Sequence, residues 1–66
     1  MSGDIMSDAK ERFMKVYANI PLQVREEIIL VLDSKPITWN VAFIEVKNDT
    51  KDAKRILDKL DEMELI

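Results

Sequence analysis

The residues that could do chemistry are few, and the groups that would activate them are missing. The densest run of oxygen ligands is Asn48-Asp49-Thr50-Lys51-Asp52. A calcium loop needs ligands at alternate positions, a central Gly and a distal bidentate Glu. This run has none of that spacing, so it reads as a cap between two helices. The chain has no Cys and no His. Thiolate and imidazole ligands for zinc are therefore absent, and the Ser–His and Cys–His pairs that make strong nucleophiles cannot form. General acid–base work near neutral pH would fall to a carboxylate or Lys of shifted pKa. The single Gly stands at position 3, which excludes a Gly-rich phosphate loop. The expectation is a non-enzyme with no cofactor, no metal and no small-molecule substrate.

Binding chemistry has more candidates. Lys10, Arg12, Lys15 and Arg25 are the bases of the first half, but Asp8, Glu11, Glu26 and Glu27 lie beside them. That pattern is a solvated mixed face rather than a basic stripe. Thirteen acids against ten bases leave a net charge of −3, which argues against nonspecific attraction to nucleic acid or anionic lipid. The C-terminal run Leu60-Asp61-Glu62-Met63-Glu64-Leu65-Ile66 is the candidate partner contact, through Asp61, Glu62, Glu64, Leu65 and Ile66. Its acids sit at the end of a helix, where the dipole favours cations, and Lys59 alone offsets them locally. One reading docks this acidic, apolar tip on a basic partner. The other folds Leu65 and Ile66 back to close the core. Trp39, Phe43 and Tyr17 are core residues or binding anchors, because large aromatic rings serve both purposes.

The elements that position these residues follow from apolar periodicity. Residues 1–6 are expected to be flexible, and 7–66 to form one small domain. Ser7 is a candidate helix cap. Ala9, Phe13, Val16, Tyr17 and Ile20 then recur at helical spacing, and Pro21 stops the helix near Asn19. Ile28-Ile29-Leu30-Val31-Leu32 suits a buried strand, with a helix from Pro21 to Leu32 as the competing reading. Asp33-Ser34-Lys35-Pro36 is turn chemistry, and Ile37 continues a very short second strand. Thr38 offers a cap. Trp39, Ala42, Phe43 and Val46 then share one helix face. A continuous strand over these residues is the alternative. Asn48-Asp49-Thr50 breaks the pattern and supplies caps for a last helix, whose stripe is Ala53, Ile56, Leu57, Leu60 and Met63.

The predicted fold is α+β, in the order α-β-β-α-α, with a short antiparallel hairpin packed by helices; four short helices are the all-α alternative. A chain of 66 residues builds a core worth only about 3–5 kcal/mol, and no disulfide or metal reinforces this one. No apolar run approaches the length of a membrane span. The first residues have no basic and apolar regions of a signal peptide, so a cytoplasmic protein is expected. The expected role is a protein-interaction or assembly module, bound to a protein partner or to itself as a homodimer. Strand Ile28–Leu32 is apolar on both faces, and pairing hairpin edges would give a four-stranded sheet across two chains. The alternative role is a small regulatory or antitoxin-like protein, acting as a dimer on DNA or on a basic partner.

Overall fold

Reversing the chain after Leu32 takes only two residues. In the computed structural model, which describes the backbone of residues 5–66 and the side chains of residues 8–66, strand β1 (Ile28–Leu32) pairs antiparallel with β2 (Lys35–Thr38). Leu32 and Lys35 close the hairpin. Asp33 and Ser34 between them both have positive φ, 50° and 69°, which is the signature of the type I′ turn that matches strand twist. The turn is thus shorter than the sequence predicts, because Lys35 and Pro36 belong to β2. A Pro is tolerated there: bonded and non-bonded pairs alternate along an antiparallel ladder, so Pro36, opposite Val31, turns its nitrogen away from β1.

The register slips by one between Ile28 and Leu30. Ile28 lies opposite Thr38 and Leu30 opposite Ile37, so Ile29 is the extra residue of a β-bulge. The bulge sets two residues, Ile29 and Leu30, against Ile37 on the inner face. It returns Ile28 to the outer face, the side shared by Val31, Pro36 and Thr38.

Helix α1 spans Ile5–Ala18, α2 Trp39–Lys47 and α3 Ala53–Glu62. A single 3-10 turn, Val24–Glu26, links α1 to β1. The α-β-β-α-α order is the predicted one, and neither the long helix over 21–32 nor the long strand over 38–46 forms. Helix α1 begins before the expected cap. Ile5 stands one turn ahead of Ala9, no Gly or Pro intervenes, and the helix propagates back through Ser7. Of the predicted flexible segment, residues 1–4 lie outside the described residues, and Ile5 and Met6 open α1.

Thr38 caps α2 as expected: its Oγ1 accepts from the Val41 backbone N–H at 3.1 Å, and its φ and ψ of −91° and 170° are those of a cap residue. Helix α3 has no such cap. Asp52 takes the N-cap position without a side-chain hydrogen bond. Asn48, Asp49 and Thr50 instead finish α2: Thr50 N–H donates to the Glu45 carbonyl and Asp49 N–H to that of Val46, each at 3.2 Å. With Asp49 at φ 51°, this is a Schellman motif.

The core lies where the three helices meet the inner face of the hairpin. Phe13 from α1, Ala42 and Val46 from α2, and Ala53, Ile56, Leu57 and Leu60 from α3 are fully buried, with Leu30, Leu32 and Ile37 closing it from the strands. Met63 departs from the predicted stripe and is 43% exposed. It is the C-cap of α3, past which Glu64 at φ 60° turns the chain.

Candidate functional site

Four of the exposed large apolar side chains, Ile28, Val31, Val41 and Ile44, lie on the hairpin and on the helix that follows it. Ile28 and Val31 are each 60% exposed on the outer face of the hairpin. Their cross-strand partners there are Thr38 and Pro36, so all four share a surface. Thr38 then leads directly into α2 and holds the Val41 amide. Val41 is 37% exposed, and Ile44, one turn further along, is 54% exposed. The surface thus runs from Val31 and Pro36, through Ile28 and Thr38, to Val41 and Ile44. Residues 28–32 and 36–44, which build it, contain no charged side chain. Along the chain, charges flank these segments: Glu26 and Glu27 before β1, Lys35 at the hairpin turn, and Glu45 and Lys47 beyond Ile44. Leu22 is also exposed, in the link between α1 and the 3-10 turn.

The three aromatic candidates pack on one another or on Phe13. Trp39 is 7% exposed, with its ring 6.0 Å from that of Phe13. Tyr17 lies flat on Phe43, with centroids 4.4 Å apart and planes inclined by 10°. The Tyr17 hydroxyl donates to Asn40 Oδ1 at 2.8 Å, which ties α1 to α2. Arg25 covers the other side of the Tyr17 ring at 4.3 Å. Its guanidinium donates to the carbonyls of Ile20 at 3.0 Å and Tyr17 at 3.2 Å. Arg25 therefore ties the chain just past α1 back to the helix end, adding a second donor to the Tyr17 carbonyl, which also accepts from the Ile20 N–H at 3.1 Å. These contacts make Tyr17 and Phe43 a half-buried joint between helices.

The C-terminal candidates make different contacts within the chain. Asp61 accepts from Arg12 Nη1 at 3.0 Å, and hydrogen bonding from Asp61 raises the Arg12 pKa. Glu62 lies 3.9 Å from Lys59 and lines an open hollow of about 210 Å³ with Leu32, Arg55, Asp58 and Lys59. Glu64 is exposed at the turn after α3. Leu65 is 40% exposed, while Ile66 packs on the core. Its carbonyl accepts from Arg12 at 3.4 Å. The sequence offered Lys59 as the sole counter-ion, because Arg12 is 49 residues from Asp61 along the chain.

Lys10 and the acids of the 48–52 run are also engaged within the chain, whereas Lys15 makes no ion pair among the described residues. Lys10 Nζ bonds both Asp49 oxygens, at 2.9 and 3.1 Å. Arg55 grips Asp33 through both carboxylate oxygens, at 2.8 and 3.1 Å, and also reaches Asp52 at 3.4 Å. The Arg55 hydrogen bond holds the Asp33 carboxyl below the ordinary carboxylate range. Asp49 and Asp52 thus serve as partners for basic side chains. Among the described residues no group of three acids converges as a metal site, and no helix is long and apolar enough to cross a membrane.

No family model, curated protein or solved structure matches this chain. Sequence reasoning found half of the apolar surface, from the two-faced character of β1. It missed the half on α2. Val41 and Ile44 stand three residues apart outside the core stripe, and that spacing was the available signal.

Proposed function

We propose that this chain is a non-catalytic protein-interaction module that docks on another polypeptide through the outer face of β1, β2 and α2. One observation carries the reading: Ile28, Val31 and Ile44 are more than half exposed on a hairpin and a helix that meet at Thr38, in segments that hold no charge. Full burial of one such side chain is worth about 1.5–3 kcal/mol, a large amount against the few kcal/mol of a domain this size. Small domains rarely leave a joined patch of this kind in water unless something covers it. The engagement of Lys10, Arg12 and Arg25 within the chain supports a protein partner over a nucleic acid.

A photo-crosslinking residue placed at Val31 or at Ile44 tests the reading in cells that make the chain. Light-dependent adducts to a polypeptide are expected at both positions. None is expected at Lys54, which lies exposed on α3. Absence of adducts at both Val31 and Ile44, or equal labelling at Lys54, overturns it.

A further inference from the structure

The partner's identity can be taken one step further, on the strength of the interaction reading above. We propose that the polypeptide seated on this face is a second copy of the chain, packed hairpin on hairpin about a two-fold axis with the two β1 strands antiparallel.

Charge placement points to self-association. The centre of the face is neutral and apolar, so two copies bring no like charges together there. The two ends differ in sign. Glu26 and Glu27 precede Ile28, and Lys35 precedes Pro36 at the turn. All three are exposed, and none is in an ion pair among the described residues. A two-fold axis across the middle of β1 reverses one hairpin over the other. It therefore brings the acidic end of each copy to the basic end of its partner, twice per dimer. The acid at the turn, Asp33, does not spoil this match, because Arg55 already holds it.

The backbone decides between packing on the face and pairing at an edge. Pro36 removes a donor from the free edge of β2, and the bulge at Ile29 disturbs the free edge of β1. Both are devices that discourage a further strand. Neither affects the outer face, where Ile28 and Val31 stand. The four-stranded sheet expected from the sequence thus gives way to two hairpins packed face to face.

The area sets the strength. Ile28, Val31, Val41 and Ile44, at 60%, 60%, 37% and 54% exposure, offer roughly 400 Å² per copy, about half of the ~800 Å² per partner of a standard interface. The dimer is therefore weak, and its population follows concentration.

Sedimentation equilibrium of the purified full chain between about 1 µM and 1 mM tests the proposal. The mass should climb from the 7.7 kDa monomer toward twice that value. Val31→Glu, at an exposed position, should stay folded by circular dichroism and bind itself at least tenfold more weakly. Lys35→Glu should also weaken the dimer, and adding Glu26→Lys and Glu27→Lys should restore it. A monomer mass at 1 mM overturns the proposal, as does a dimer indifferent to Val31→Glu. Slowed hydrogen exchange of the Val31 amide, which faces the free edge of β1, would show edge pairing and overturn face packing. If the chain stays monomeric yet crosslinks at Val31 to a different polypeptide, the second copy is wrong and the interaction reading stands. If it stays monomeric and does not crosslink, both fall.

Discussion

Among the described residues, four with side chains have positive φ: Asp33 at 50°, Ser34 at 69°, Asp49 at 51° and Glu64 at 60°. Glu64 and Asp49 occupy the same place in the same motif. Leu65 N–H donates to the Leu60 carbonyl at 2.9 Å and Glu64 N–H to that of Asp61 at 3.0 Å, which closes α3 as Thr50 and Asp49 close α2. A side chain in this conformation costs about 1–2 kcal/mol that Gly avoids. Gly gives back about 0.5–1 kcal/mol through its looser unfolded chain. Glu64→Gly should therefore stabilise by about 0.5–1 kcal/mol, and removing an acid from a helix C-terminus adds about 0.3 kcal/mol. In a domain of this size that raises Tm by about 4–8 °C per kcal/mol. Asp49→Gly relieves the same backbone but loses the Lys10 ion pair, worth about 0.2–1 kcal/mol at a surface, so its net effect should be near zero.

Urea and thermal unfolding, followed by Trp39 fluorescence and circular dichroism, read these differences. Glu64→Ala is the control, because it removes the charge and keeps Cβ. High salt screens the Lys10–Asp49 pair, so Asp49→Gly should become stabilising there. The reasoning fails if Glu64→Gly is no more stable than Glu64→Ala. It also fails if Asp49→Gly gains as much as Glu64→Gly in low salt.

Trp39→Ala removes a ring that is 7% exposed and should cost about 3–5 kcal/mol, most of the stability of so small a core; calorimetry should show no cooperative transition, and an intact one would place Trp39 outside the core. Asp33 is held below its ordinary value of 3.8 chiefly by the Arg55 hydrogen bond, so its contribution is full above about pH 4 and is lost as pH falls through the lower folded value. In Arg55→Gln the Asp33 carboxyl, followed by NMR, should titrate higher, toward the ordinary carboxylate range, and that acid-dependent loss should shrink; an unchanged midpoint would remove Arg55 as the cause.

Elements whose rules are local were legible in the sequence. Ile28–Leu32 reads as a strand because five apolar residues are bounded by Glu27 and Asp33, too short a run for a buried helix. Thr38 reads as a cap because the Trp39, Ala42, Val46 stripe begins just after it. What escaped depends on partners distant along the chain or on backbone states that leave little trace. The type I′ turn was hidden because Asp33 and Ser34 stand where Asn and Gly usually announce it. The bulge at Ile29 has no Gly to mark it. Lys10–Asp49, Arg12–Asp61 and Arg55–Asp33 span 39, 49 and 22 residues, so they form only once helices and hairpin have packed. The C-terminal tip looked like one acidic unit because the sequence could not show Arg12 reaching Asp61 and Ile66.

Two pattern rules break in this chain, and they break on the same side. A strand apolar on both faces is ordinarily covered on both, yet Val31 is 60% exposed. A helix apolar on two sides is ordinarily buried, yet α2 hides Trp39, Ala42 and Val46 and leaves Ile44 54% exposed. The two departures are independent in sequence. They become one surface only because Thr38 ends β2 opposite Ile28 and begins α2 beneath Val41. Scattered apolar groups at a surface need no explanation. Joined ones, in a chain with no cysteine and so no disulfide to make up the lost burial, do. Local and global pattern disagree in natural proteins chiefly where function requires it. On the proposed reading the disagreement serves contact, because the two segments that build the surface offer apolar area and hold no charged side chain.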